Sequence, residues 1–233
     1  MLKNYFILCV ALVMALIGLA LWWRSRNRDP KIYDAKSAWM RAGLYFCACF
    51  ILSWATGALS AVLSAPLATP ENLADPAWIA FTALCFIVEF VGYYLIWPKG
   101  TLTHGRELHL PTILLFGWLW GISEAQLFLS VWAVTDWLIA SKLIVAIVTF
   151  IILSAFIGLW HALYWDIYVA PEHNIAEWNS RKVLFAHIPN LVVTLTYLAV
   201  YGNFGMFILF QTFSLLGSTY FMRFPPFREV KAG

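Results

Sequence analysis

Two glutamates lie deep inside apolar stretches of the sequence. Glu89 occurs in CFIVEFVGYY and Glu124 occurs in GWLWGISEAQLF. A charged carboxylate in the middle of a bilayer costs about 3 kcal/mol even on a lenient insertion scale. We therefore expect both side chains to face the protein interior, where low polarity favours the neutral acid. Such an acid can donate or relay a proton or bind a metal, and it can equally serve only as a hydrogen bond between helices.

A second group of polar residues lies between Trp160 and Asn190, within one predicted helix–loop–helix. Histidine titrates near neutral pH and can move protons, and the short loop should let the faces that carry His161 and His187 meet. The loop itself is predicted either to cap the bundle or to form a lid at its cytoplasmic mouth. With the two acids, the candidate catalytic residues are Glu89, Glu124, His161, Asp166, His187 and Asn190.

Aromatic residues share helix faces with these candidates. Residues three and four positions apart lie on one side of a helix, which places Tyr93 beside Glu89 and a tryptophan beside Glu124. Aromatic faces can stabilise a carbocation, although glycines on the same faces favour tight helix packing equally well. The predicted substrate-binding residues are Trp120, Phe128, Tyr93, Tyr164, His173 and Asn174.

The spacing of histidines and cysteines gives no metal or haem signature. HxxxH, HxxH and HExxH pairs are absent, and no two cysteines have the CxxC spacing. A mixed site of Glu89, Glu124, His161 and His187 is geometrically conceivable but not favoured. We predict no cofactor. The composition gives no sign of nucleic-acid binding, and the sequence leaves the oligomeric state open.

The elements that carry these residues are predicted to be membrane helices. The chain has 233 residues, of which 62% are hydrophobic and 12% charged, whereas a soluble domain carries roughly a quarter charged residues. Apolar runs of about 20 residues, enough to cross a bilayer core, recur along the chain. We therefore predict an all-α, polytopic integral membrane protein with one domain, residues 1–233, in which the first helix stays as an anchor. The seven predicted helices are 5–23, 39–64, 78–97, 111–133, 142–165, 183–201 and 204–222.

Basic residues indicate how this seven-helix bundle is oriented. With seven helices, 13 of the 15 Lys and Arg residues lie on one side, and only Lys3 and Lys142 lie on the other. The positive-inside rule then places the N-terminus outside and the C-terminus in the cytoplasm. An even number of helices would distribute these charges over both sides. We expect the protein in the cytoplasmic (inner) membrane of a bacterium. Tryptophans near predicted helix ends, among them Trp78 and Trp97, are typical of an interfacial belt.

These features favour an enzyme that acts on an apolar isoprenoid or other lipid. A buried neutral acid can protonate a double bond, which would lead to isomerisation, cyclisation or hydration. The size, the seven helices and the intramembrane carboxylates are similar in outline to small membrane-bound terpene cyclases, a likeness of architecture that no residue-by-residue motif accompanies.

Two other classes of function remain open from the sequence. A small proton-coupled transporter would use Glu89 and Glu124 as coupling groups, but no internal repeat is visible and glycine- or proline-broken helices are scarce. A non-catalytic assembly subunit would need the polar residues only for helix contacts.

Overall fold

The computed structural model describes residues 35–101, 108–164 and 180–223, apart from the side chains of residues 35–38, 40–41 and 159–164. The described residues form helices and contain no strand. We number the helices in chain order. They are α1 Ala35–Thr56, α2 Ala58–Ser64, α3 Pro70–Ala74, α4 Pro76–Ile96, α5 Leu110–Leu138, α6 Lys142–Tyr164, α7 Ser180–Tyr201 and α8 Phe204–Met222.

Four of these helices are long and apolar enough to cross a membrane: α4, α5, α7 and α8. A fifth span is added if α1 and α2 are counted together. Helix α6 has a shorter apolar stretch, from Lys142 to Gly158. The described part of the chain is thus all-helical, and its long apolar helices are those of a membrane protein. The predicted first helix, 5–23, lies outside the described residues.

The predicted continuous helix 39–64 is wrong. The chain forms two helices, α1 and α2, that meet at Gly57 with a bend of 82°. Gly57 has φ +78°, in the left-handed region where a Cβ would clash with the backbone and glycine is favoured. One glycine therefore turns the chain where its hydrophobicity alone predicted a straight span.

Helix α5 forms the centre of the bundle. Of its membrane-crossing stretch, 67% is buried, compared with 22% for α4, and it packs against α1, α6 and α8. Two glycines bring α8 close. A Cβ on Gly121 would lie 2.5 Å from Thr212 Cα, and one on Gly117 would lie 2.6 Å from Thr219 Oγ1. Small residues thus set the spacing between these helices, as they commonly do in membranes.

Helices α4 and α7 each contain a stretch of π-helix, Val91–Ile96 and Val183–His187. In each stretch the closing hydrogen bond comes from the residue just before a proline: Trp97 N–H donates to Gly92 O, and Ile188 N–H donates to Val183 O. The proline ring has no N–H and clashes with the carbonyl four residues back. The wider turn accommodates this clash, so Pro98 and Pro189 account for the two π-stretches.

Candidate functional site

The two π-stretches meet inside the bundle and form the candidate site. A Cβ on Gly92 would lie 3.1 Å from Ala186 Cα, so the backbones of α4 and α7 are close here. At this contact Tyr93 of α4 shares a hydrogen bond of 3.0 Å with Nδ1 of His187 of α7. π-Stretches in helices occur frequently at functional sites, and here they place a phenol against an imidazole.

Trp97 completes an aromatic cluster around this pair. Its ring centroid lies 5.7 Å from that of Tyr93 and 5.1 Å from that of His187. The Trp97 side chain is buried, and its indole N–H has no acceptor in the part of the chain that the structure describes. Trp78, which is also predicted to lie in the interfacial belt, is buried as well. Both lie near helix ends, yet both face the protein.

Lys182 of α7 directly precedes the π-stretch that contains His187. Its ammonium is 4.6 Å from the Trp97 ring centroid, a cation–π contact. It also donates to Thr101 Oγ1 at 2.7 Å, and the Lys182 side chain is fully buried. A buried cation close to the Tyr93–His187 pair gives this end of the site a positive charge.

Glu89 lies one turn before Tyr93 on α4 and is fully buried. Asn190 of α7 donates through Nδ2 to Glu89 Oε2 at 2.7 Å. Gln211 of α8 in turn donates to Asn190 Oδ1 at 3.0 Å. These hydrogen bonds connect α4, α7 and α8. A buried acid can have this structural role alone. The other carboxyl oxygen of Glu89, Oε1, has no hydrogen-bond partner among the described residues.

Glu124 of α5 is held within its own helix. The indole N–H of Trp120, one turn back, donates to Glu124 Oε2 at 2.7 Å. Trp120 packs edge-on against Phe116, with ring centroids 5.3 Å apart. The Glu124 side chain is partly exposed, whereas Glu89 has no exposed surface. The two acids therefore differ in setting: Glu89 accepts from the amide of Asn190, and Glu124 accepts from the indole of Trp120.

Tyr93 lies within electrostatic range of both acids, Glu89 and Glu124. Tyr93, Trp97, Trp120 and Phe128 also belong to one continuous core cluster. Of the predicted residues, the structure thus groups Glu89, Asn190, Tyr93 and His187 on α4 and α7, while Glu124 and Trp120 lie together on α5. Phe128 is a core residue with 1% of its surface exposed.

Five predicted site residues cannot be placed. The side chains of His161 and Tyr164, at the end of α6, lie outside the described residues, as do Asp166, His173 and Asn174 entirely. The predicted meeting of His161 with His187 and the predicted lid stay predictions.

Sequence reasoning missed three residues of the site: Trp97, Lys182 and Gln211. Gln211 could have been found, because it is an amide in the middle of the apolar run FILFQTFSLL and a buried amide requires partners. Lys182 was counted only as a topology-determining charge at a helix end. Nothing in the sequence showed that it turns inward.

In the described ranges 35–101, 108–164 and 180–223, no three His, Cys, Asp or Glu side chains lie close enough to hold a metal ion. Comparison with known proteins finds no matching family model, no similar curated protein and no similar solved structure.

Proposed function

We propose that this protein is a multi-pass membrane enzyme that isomerises, cyclises or hydrates an apolar substrate, such as an isoprenoid or another lipid, by acid–base catalysis. The observation that carries the proposal is the Tyr93–His187 hydrogen bond at the contact of two π-stretches, one helical turn from the buried carboxyl of Glu89. Groups that can hold and accept protons rarely converge inside a membrane without a functional reason.

The chemistry assigns a role to each group. A neutral glutamic acid gives its proton to a carbon–carbon double bond, whose electron pair forms the new C–H bond and leaves a cation on the neighbouring carbon. Aromatic faces such as those of Tyr93 and Trp120 stabilise that cation. The Tyr93–His187 pair then removes a proton from an adjacent carbon, or from an attacking water. Transfer through Tyr93 returns this proton to the glutamate, so no oxidant or reductant is needed.

The proposal includes the seven-span topology, with the N-terminus outside and the C-terminus cytoplasmic. Six of the seven predicted helices correspond to described helices or helix pairs, and the charge distribution supports this orientation. The π-stretch of α7 begins directly after Arg181 and Lys182. The Tyr93–His187 pair would therefore lie near the cytoplasmic side, where protons can be exchanged with water.

The test compares the apolar lipids of cells that lack the protein with those of cells that express the wild type, Glu89→Gln or Glu124→Gln. We expect the wild type to convert one lipid to a product of the same mass, or of that mass plus one water, measured by mass spectrometry with chromatographic separation. At least one Gln variant should lose this conversion by 100-fold or more, since general acid catalysis contributes about 10²–10⁴-fold. Identical lipids in wild-type and deficient cells would contradict the proposal, provided that the protein is present in the membrane fraction.

A proton-coupled carrier is the second candidate, and the break at Gly57 favours it. Interrupted helices are typical of transporter binding sites, and the 82° bend between α1 and α2 is such an interruption. A carrier should move its substrate into proteoliposomes in proportion to an imposed pH gradient, and Glu89→Gln should abolish this uptake. An enzyme should transform lipid in detergent, where no gradient exists.

A further inference from the structure

The hydrogen bonds around Glu89 determine which of its two oxygens can hold a proton. The hydroxyl of Thr194, on α7, donates to the backbone carbonyl of Asn190 at 2.7 Å. A hydroxyl has one proton to donate. Because Thr194 uses it within its own helix, its oxygen can only accept from any other neighbour.

That neighbour is the side-chain amide of Gln211. Its nitrogen lies 3.4 Å from Thr194 Oγ1 and 3.0 Å from Asn190 Oδ1. An amide presents donors at one end and an acceptor at the other. The end of Gln211 that faces Thr194 must therefore be the NH₂ group, and the end of Asn190 that faces Gln211 must be its carbonyl oxygen.

The orientation of Asn190 follows, and with it the state of Glu89. The NH₂ group of Asn190 faces Glu89 and donates to Oε2 at 2.7 Å. Oε2 is thus an acceptor, and a proton on the carboxyl belongs on Oε1. Oε1 is the oxygen that meets no hydrogen-bond partner in the described ranges. The Ser214 hydroxyl lies near the carboxyl, but its proton is donated to the backbone carbonyl of Gln211 at 2.9 Å.

The surroundings of the carboxyl favour the neutral acid. Glu89 has no exposed surface. The titratable groups of the described residues that lie near its carboxyl are Cys85, Tyr93 and Tyr94, and none of them is a cation. The hydrogen-bonding side chains at this carboxyl, Asn190 and Ser214, are both neutral, so a buried carboxylate would lack the cationic partner that a buried charge requires.

We infer that Glu89 is the proton donor of the site, with its proton on Oε1, and that Asn190 and Gln211 are the residues that position it. Resting on the proposed function, this inference specifies the ligand: a neutral, electron-rich group that takes a proton or a hydrogen bond, such as an alkene carbon or a carbonyl oxygen. The Oε1–H group is itself a neutral donor, so it matches a neutral acceptor better than an anion. Glu124 is left as a second acid whose own Oε2 is bound to the Trp120 indole.

Infrared spectroscopy of the detergent-purified protein, without substrate and near neutral pH, tests this inference. The difference spectrum of wild type minus Glu89→Gln should contain the C=O stretch of a protonated carboxyl, which shifts in D₂O. Asn190→Leu, of similar volume, should move this band to higher wavenumber, because Oε2 loses its donor. Thr194→Val should broaden the band, because both amide orientations of Gln211 become allowed. Glu124→Gln is the matched control and should leave the band unchanged.

Two outcomes would overturn the inference. One is the absence of the protonated band from the Glu89 difference spectrum, which would show an ionised carboxyl. The other is a band that keeps its position and width in both Asn190→Leu and Thr194→Val. Size-exclusion chromatography shows whether each variant is folded. If one variant does not fold, the spectrum of the other decides. The readout needs no turnover, so a failure of the proposed enzymatic function, seen as unchanged lipids, is distinguishable from a failure of this assignment.

Discussion

At the scale of single residues, two adjacent tyrosines on α4 have different roles. Tyr93 is buried and bonds to the imidazole of His187. Tyr94 is partly exposed and donates to the backbone carbonyl of Phe213 at 2.9 Å. One phenol therefore contacts a group that can exchange protons, and the other only ties α4 to α8.

This difference gives a matched pair of variants. Tyr93→Phe should reduce turnover by 100-fold or more if the phenol relays protons, while destabilising the protein by about 1 kcal/mol, the usual net value of one hydrogen bond. Tyr94→Phe should cost a similar amount of stability and leave turnover within about twofold. Thermal unfolding and lipid conversion measure the two effects. Equal losses of activity in both variants would mean that Tyr93 has no special role.

Several site residues could be predicted from the sequence because polar groups in apolar runs need partners. Glu89, Asn190 and His187 were found in this way, and the structure brings them to one place. Their exact partners could not be predicted, since these come from other helices: Asn190 is 101 positions from Glu89 in the chain. The periodicity of a helix identifies neighbours three or four positions apart within one helix, as for Trp120 and Glu124. It does not identify neighbours on different helices.

At the scale of elements, the prolines after the two π-stretches determine the geometry of the site. Pro189 lacks the N–H that would bond to Phe185 O, and the helix widens just before it. His187 lies in this widened turn. Pro189, two positions further along the chain, thus determines the direction of the His187 side chain toward Tyr93. Pro189 itself has no ionisable group.

Pro189→Ala should restore the missing N–H and let Val183–His187 tighten to an α-helix. We expect unchanged or increased thermal stability, because proline in a helix interior is unfavourable by about 3 kcal/mol relative to alanine. Turnover should nevertheless fall at least tenfold, since His187 rotates away from Tyr93. Pro76→Ala, in the first turn of α4 where proline is well tolerated, is the control and should change neither property. Full activity in Pro189→Ala would show that the π-stretch is not required.

The distance between α5 and α8 depends on Gly121, and a second pair of variants tests this dependence. Gly121→Ala places a Cβ 2.5 Å from the Thr212 backbone, so α5 and α8 must separate; we expect a loss of about 1–3 kcal/mol, as for other overpacked cores. Gly158→Ala, on α6, meets nothing within 4 Å and should be neutral or slightly stabilising. Denaturation in detergent compares them. Equal stability of the two variants would contradict the close packing of α8 on α5.

The boundaries of most helices could be predicted, because apolar runs, Pro111 and the Gly202–Asn203 turn mark them clearly. The predicted helix 204–222 coincides with α8, and predicted 142–165 ends one residue beyond α6. The break at Gly57 could not be predicted, since glycine is tolerated in membrane helices and only its positive φ shows the bend. The π-stretches were also missed, although each precedes a proline that could have indicated it.

At the scale of the whole molecule, the proposed orientation in the membrane would place the Tyr93–His187 pair near the cytoplasmic side. Ser141 and Lys142, between α5 and α6, are exposed and lie on the predicted outer side. Arg223, after α8, lies on the predicted cytoplasmic side. The two positions are on opposite sides of the membrane if the topology is right.

Ser141→Cys and Arg223→Cys test this topology. A membrane-impermeant maleimide applied to intact cells should label Ser141→Cys but label Arg223→Cys only after permeabilisation. The native cysteines all lie in apolar runs, so the wild type serves as the background control. Labelling of Arg223→Cys in intact cells would reverse the orientation and move the Tyr93–His187 pair away from the cytoplasmic side.

The most direct test of the central claim, that acids inside this bundle transfer protons to carbon, is solvent deuterium transfer. Purified protein is incubated in D₂O with the total apolar lipid of the cell that encodes it. The account predicts carbon-bound deuterium in one lipid with the wild type, and at least a 100-fold lower rate of incorporation with Glu89→Gln. No incorporation with the wild type, or equal incorporation with both, would contradict it.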